Sequence, residues 1–250
     1  MIVINANVDP VTLALARLRT SAIPAAAVEA LTDTARQIAI AEVREMRDVF
    51  DRPTPWTLGS VKVTPASRGS YKATVALKDF AGKGVPATKF LAAEITGGRR
   101  AMKASERAFR SVGIMPDGYR MVPGPGAKVD AYGNMDRGQI VQILAYFKAL
   151  QQTSGYRGNM TDKKRAKLYK GTKRKQGFAY FVRNSGRNVV IFQSTRFLGG
   201  NAVRPVIIFV PFANYEARYD YPFVAQHIAA TMGPRLFQQA LSAELAKGAA

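Results

Sequence analysis

The chain is 250 residues long, 47% hydrophobic, and carries 37 Lys and Arg against 17 Asp and Glu, a formal net charge of +20. That composition suits a globular protein with a sizeable core, and no run approaches the roughly eighteen consecutive apolar residues of a membrane helix. With no cysteine and one histidine, disulfides, thiolate catalysis, Cys-ligated metals and His-pair zinc sites are excluded.

The charge is uneven. Residues 1–137 hold twenty bases and thirteen acids, whereas residues 138–250 hold seventeen and four. Such an excess attracts DNA, RNA or an acidic protein surface and says nothing about fold. The opening MIVINANVDP shows no basic region followed by an apolar stretch, so a cytoplasmic start is expected.

In chain order, Ile2-Val3-Ile4 is a short apolar run, Asp9-Pro10 a turn signal, and Leu13, Leu15 and Leu18 the start of a short helix. Residues 22–51 read as one long amphipathic helix, a rod of about 45 Å. Ser21 is its expected cap and Pro24 lies near its first turn. Val28, Leu31, Ala35, Ile38, Met46 and Val49 share a face. Arg44 with Asp48 and Arg47 with Asp51 are i,i+4 pairs for the outer face, and Pro53 and Pro55 forbid continuation. Trp56 is expected as a core anchor beside the helix end.

Residues 60–66 and 71–78 alternate like half-buried strands, with Arg68-Gly69-Ser70 as their turn. After a loop at 79–86, residues 87–95 predict a short helix, Gly97-Gly98 a break, and 101–112 a basic helix. Residues 113–133 are rich in Pro and Gly, which argues against regular structure over most of their length. Asp136 can cap a second clear helix bearing Ile140, Ile143, Leu144 and Phe147. Residues 151–177 are polar and basic, and 178–183, 188–194 and 204–212 are strand-like, with Asn184-Ser185-Gly186 as a hairpin loop. Pro222 opens a final helix that Gly233-Pro234 should kink or interrupt. The pattern predicts a single α+β domain, a mostly antiparallel sheet packed against long N-terminal and C-terminal helices. A loop-rich insertion at about 80–135 and a basic segment at 157–175 complete it, the latter being the only candidate boundary.

Catalytic material is sparse. His227 stands alone within the final helix, and neither a G-x-S-x-G elbow nor a glycine-rich phosphate loop occurs. Pro116-Asp117 and Asp162-Lys163-Lys164 resemble a P-D…D-x-K nuclease pattern on paper, but the second half has no strand character. No catalytic, metal or cofactor site is therefore expected. The best interaction feature is the basic segment: Arg157, Lys163, Lys164, Arg165, Lys167, Lys170, Lys173, Arg174 and Lys175, bordered by Tyr156, Tyr169, Phe178 and Tyr180. Lysine and arginine there would meet phosphates, or acids on a neighbouring protein, while the aromatics stack on exposed bases.

The residues SAIPAAAVEALTDTARQIAIAEVREMRD at 21–48 resemble the start of the tailed-phage minor tail protein Z, or tail-completion, family, where a Pro-Ala-Ala-rich entry leads into a long helix. The strand at 204–212, the Tyr221-Pro222 joint and the last helix are similar to the family's C-terminal end, and its middle is also basic. The resemblance spans roughly 90 residues, and 80–150 departs from it. It implies a non-catalytic virion protein of the neck or tail, assembled in the host cytoplasm as a homo-oligomeric ring. Portal, other neck proteins and tail tube would be its neighbours, and packaged DNA a further contact. Val28, Leu31, Ile38, Met46, Tyr119, Val122 and Tyr132 are the expected subunit-interface residues. The alternative is a nucleic-acid-binding protein that uses the basic-aromatic segment 156–181.

Overall fold

A computed structural model describes residues 9–82, 84–150, 158–173, 175–197, 199–211 and 214–247. The run at 2–4, Tyr156, Arg157 and Arg174 lie outside them. The fold is α+β. The chain divides into two compact units, Met1–Gly97 with Glu216–Ala250, and Gly98–Tyr215. Both breaks fall away from the basic segment.

The first unit begins with α1 (Asp9–Arg17), which runs through one π turn (Leu18–Ala22) into α2 (Ile23–Val49). The helix therefore starts earlier than its pattern suggests. Ser21 lies inside the π turn and does not cap; Ala22 and Ile23 on either side of the junction are both helical. Phe50 leaves the helix in extended conformation, and Pro53, with no N–H for the Val49 carbonyl, bars its continuation. Then come α3 (Pro55–Leu58), a hairpin of β1 (Val61–Thr64) and β2 (Thr74–Leu77), and α4 (Ala87–Phe90) with α5 (Ala92–Thr96). The hairpin is tied to α2 by the Ala66 N–H, which donates to Thr32 Oγ1 at 3.1 Å.

The unit closes with α9 (Tyr221–Lys247), the last α-helix among the described residues, lying antiparallel to α2. Ala26 and Ala30 meet Ala240, Leu236, Phe237 and Leu241. Small side chains let the two axes approach. Pro234 does not interrupt α9; it and Ala230, whose carbonyl loses its helical partner, are on the exposed side. At the other end, Met46, Ala87, Leu91 and Tyr219 form a buried cluster that includes Phe50 and Tyr221 at its margin. Trp56 is 55% exposed and belongs to no core. It cannot anchor one because Pro55 places it on a single-turn helix whose residues are all at least partly open.

The second unit begins with α6 (Ala104–Ser111), then β3 (Tyr119–Pro123), α7 (Arg137–Tyr146) and α8 (Asp162–Lys170). The long strands β4 (Phe178–Ser185), β5 (Asn188–Phe197) and β6 (Gly200–Pro211) follow. The sheet order is β3-β6-β5-β4, antiparallel throughout. Phe109 of α6 packs edge-on to Phe209 at 5.4 Å, and Ile143 and Leu144 of α7 join Met121, Ile191 and Ile207 in the core. Strand β3 is the one regular strand in 113–133, a stretch otherwise irregular over most of its length: Met121 pairs there with Phe209. The glycines beside it have a packing reason. Gly124 and Gly126 donate to the carbonyls of Val206 and Pro205 at 2.9 and 2.8 Å, and a Cβ on Gly124 would collide with the Pro205 carbonyl. Pro205 itself sits at a register shift opposite Ile191 and Phe192, a bulge where no ladder donor is needed.

Candidate anionic-partner surface

The charge divides with the units. Residues 98–215 hold 22 bases and 5 acids, a net +17, which leaves 15 and 12, or +3, to the other unit. The centre of that excess is α8. Thr161 caps it, its Oγ1 accepting the Lys164 N–H at 3.3 Å; Asp162 sits in the first turn and Lys167 and Lys170 in the last, all matched to the helix dipole. Lys163, Lys164, Lys167 and Lys170 are exposed and fall within about a third of the helix circumference. The opposite side is used for docking. Arg165 pairs with Asp162 and lies 5.6 Å over the Tyr146 ring, Leu168 is half-buried, and Arg196 of β5 lies 5.8 Å over Tyr169.

The chain behind α8 turns back tightly through Thr172 and Lys175, which bond each other's backbone at 2.8 and 3.2 Å. A Cβ at Gly177 would strike the Tyr169 carbonyl, so only glycine lets this return run against the helix. Lys173 and Lys175 are exposed on it. Of the nine basic residues expected to meet an anion, six thus present free-standing ammonium groups, Arg165 is committed to an internal pair, and Arg157 and Arg174 lie outside the described residues.

The expected interface residues scatter. Met46 and Ile38 are buried within their own unit, at 0% and 9% exposure, and offer no surface to a neighbour. Val28 is half-buried and Leu31 is 37% exposed. Tyr119 and Val122 are half-buried on β3, and the Tyr119 hydroxyl donates to the Arg187 carbonyl at 2.8 Å. Tyr132 is exposed at the tip of a turn in which Asp130 Oδ1 accepts the Tyr132 and Asn134 N–H groups.

Two buried carboxylates escaped the sequence reading. Glu106 is fully buried on α6 and accepts four donors: Arg100 Nη1 and Nη2 at 3.0 and 2.5 Å, and the Lys103 and Met121 N–H groups at 2.6 and 2.9 Å. Burial opposes its charge, but the guanidinium and the two amides outweigh it and hold the carboxyl below its ordinary range. Its oxygens are saturated, so its work is structural: it staples the start of α6 to the open edge of β3. Glu42 of α2 is equally buried but faces no cation. Burial raises it, the Tyr219 hydroxyl at 2.6 Å only partly offsets this, and Glu45 and Asp220 add to the rise, placing it at about 7. Half of a capping box was the available signal for Glu106, a glutamate at the third helical position that can reach back to the Lys103 N–H, although a lysine at the N-cap has no acceptor to complete the box; nothing local marked Glu42.

The carboxylates of the P-D…D-x-K pattern are both in ion pairs. Asp117 pairs with Arg110, and Asp162 with Arg165 and Lys148. His227 is exposed on α9 and stacked on Phe223 at 5.9 Å. Among the described residues, no group of three His, Asp or Glu side chains is arranged to hold a metal, and no helix is long and apolar enough to cross a membrane. No family model, curated protein or solved structure matches the chain.

Proposed function

We propose that the chain is a non-catalytic structural subunit of a tailed-phage particle, placed in the neck or tail. It assembles in the host cytoplasm as a homo-oligomeric ring that docks on portal, neck or tail-tube proteins. The resemblance at 21–48 and 204–247 supports this reading. The observation that carries it is unspent apolar surface in the first unit: Leu13, Leu15, Trp56, Phe80 and Phe223 are 55 to 79% exposed. Trp56 and Phe80 line one hollow, and adjoining apolar side chains left open are the kind of surface a neighbour would cover. Quantitative peptide mass spectrometry of purified particles is expected to find the chain at a fixed ratio to portal, on the order of six or twelve copies. Its absence from mature particles would overturn the reading.

A second reading rests on the segregation of +17 into one unit and on the lysine comb of α8: this surface binds nucleic acid through phosphates. The logarithm of affinity then falls linearly with the logarithm of salt concentration. Replacing Lys163, Lys164, Lys167 and Lys170 together with alanine is expected to reduce the slope by about 3, since each phosphate contact contributes roughly 0.7 to 0.9. These side chains hold nothing in the fold, so circular dichroism is expected to stay the same. A flat salt dependence of the parent protein would end this reading.

A further inference from the structure

Between α7 and the sheet of the second unit lies a cleft of about 280 Å³ where a hydrophobic core would be expected to continue. Strand register places Tyr180 beside Gln193 on the face that carries the buried Ile191 and Ile207. A glutamine at that position breaks the apolar pattern of the face. Across the cleft, Gln139 and Gln142 are one helical turn apart on α7 and point the same way. Three carboxamides and a phenol therefore converge on one space. Interruptions of this kind, polar where packing alone would choose apolar, are the positions at which a binding function outweighs stability.

The groups are held in place by their own bonds. Gln139 is 6% exposed, and its Oε1 accepts the Lys128 N–H at 2.7 Å. The Tyr180 hydroxyl donates to Gln142 Oε1 at 3.0 Å with the Gln139 carboxamide also in reach, and burial pushes that phenol up to about 12. With its oxygen engaged, Gln142 has its NH2 group to offer, while the NH2 of Gln139 faces the Tyr180 hydroxyl. The Phe178 ring forms one wall. Lys128, an exposed residue, and Asp136, whose Oδ1 accepts the Gln139 N–H at 2.8 Å, also line the cleft.

We infer that this cleft receives a single nucleobase from an unpaired strand. A planar heterocycle has a π face for Phe178 and a mixed donor and acceptor edge for the carboxamides. The nucleotide's own phosphate matches Lys128. The volume lies just below the roughly 300 Å³ at which pockets for drug-sized ligands begin, which suits one base and not two. The inference rests on the nucleic-acid reading above and adds to it a preference for single strands, because a base inside a duplex cannot enter a cleft of this kind.

The test uses the full chain and fluorescently labelled oligothymidylate, oligoadenylate and a duplex of equal length, followed by anisotropy at several salt concentrations. Gln193→Leu and Lys128→Ala probe the sheet face and the exposed lysine of the cleft, with melting curves to show that each variant folds. Gln193→Leu is expected to weaken single-strand binding roughly tenfold, the effect of losing one bound base, with the salt slope and duplex affinity unchanged. Lys128→Ala is expected to weaken single-strand binding and lower its slope by about 0.7. Single-strand binding unaffected by Gln193→Leu, or weakened equally on duplex, would overturn the cleft assignment while the α8 comb stood. Displacement by a neutral monosaccharide in place of a nucleotide would also overturn it. A parent protein that binds none of the probes would remove the nucleic-acid reading, and this inference with it.

Discussion

Glu106→Ala is expected to be among the most damaging single substitutions in the basic unit, costing about 3 kcal/mol, because it leaves the half-buried Arg100 guanidinium without its carboxylate partner. It also strands the Met121 N–H on the open edge of β3, where no neighbouring strand can accept it. Whole domains are stable by only about 5 to 15 kcal/mol, so the loss takes a large part of the total. Urea denaturation followed by far-ultraviolet circular dichroism measures it; a loss below about 1 kcal/mol, the size of an ordinary neutral hydrogen bond, would show that the staple is dispensable. Replacing Arg100 and Glu106 together with methionine is expected to cost much less than the two single changes added, since then no charge is left behind. The pH sign follows from the depressed carboxyl. Its contribution is fully present above the unfolded value near 4.5 and disappears as pH falls through the lower folded value. Parent and variant should therefore converge in acid.

Glu42→Gln is expected to do the opposite and stabilise the protein above pH 7. The carboxyl titrates at about 7 in the fold against 4.5 in the unfolded chain. The folded state thus holds its proton more tightly, and stability declines between pH 4.5 and 7 as the unfolded chain ionises. That difference in proton affinity corresponds to about 3 kcal/mol, since each factor of ten is worth about 1.4 kcal/mol. Glutamine keeps an oxygen for the Tyr219 hydroxyl and removes the ionisation. Melting temperatures at pH 5 and pH 8.5 decide the matter: the variant should gain only at the higher pH. Equal effects at both values would mean that shape and not charge is responsible. The Tyr221 hydroxyl, buried without a partner and pushed up to about 12, stays neutral throughout this range.

The long elements were legible because their signals are long. Alanine and larger apolar residues recur over seven turns of α2, and the β-branched and aromatic runs in β5 and β6 exceed anything a helix would favour. Which face of α2 is buried was only half legible. Leu31 looked like core and is not, because α9 brings Ala240 to the alanine side of the helix. Strand β3 was masked by its neighbours. Five residues hemmed in by glycine and proline carry too short an alternation to outweigh them, and the strand exists because β6 offers an edge. The basic run was visible as composition, but not as a helix: α8 has hardly any apolar period, and its order comes from the Thr161 cap and from stacking on Tyr146 and Tyr169. The cleft was invisible, since Gln139, Gln142 and Gln193 acquire meaning only when the register aligns them.

The basic unit is spliced into the other one, entered at Gly98 and left at Tyr215, and those two residues exchange backbone hydrogen bonds at 2.9 and 2.8 Å. Its ends are therefore adjacent, and it can close on itself as soon as residue 215 is available. The host unit cannot. During synthesis α2 leaves the ribosome with its small-residue face bare and stays so until α9 arrives, since Glu42 and its partner Tyr219 are 177 residues apart. At the usual elongation rates of about 5 to 20 residues per second, that wait lasts roughly ten seconds or more, far longer than a small domain needs to fold. The guest must finish before the host, and for that interval α2 is the part of the nascent chain most in need of shelter.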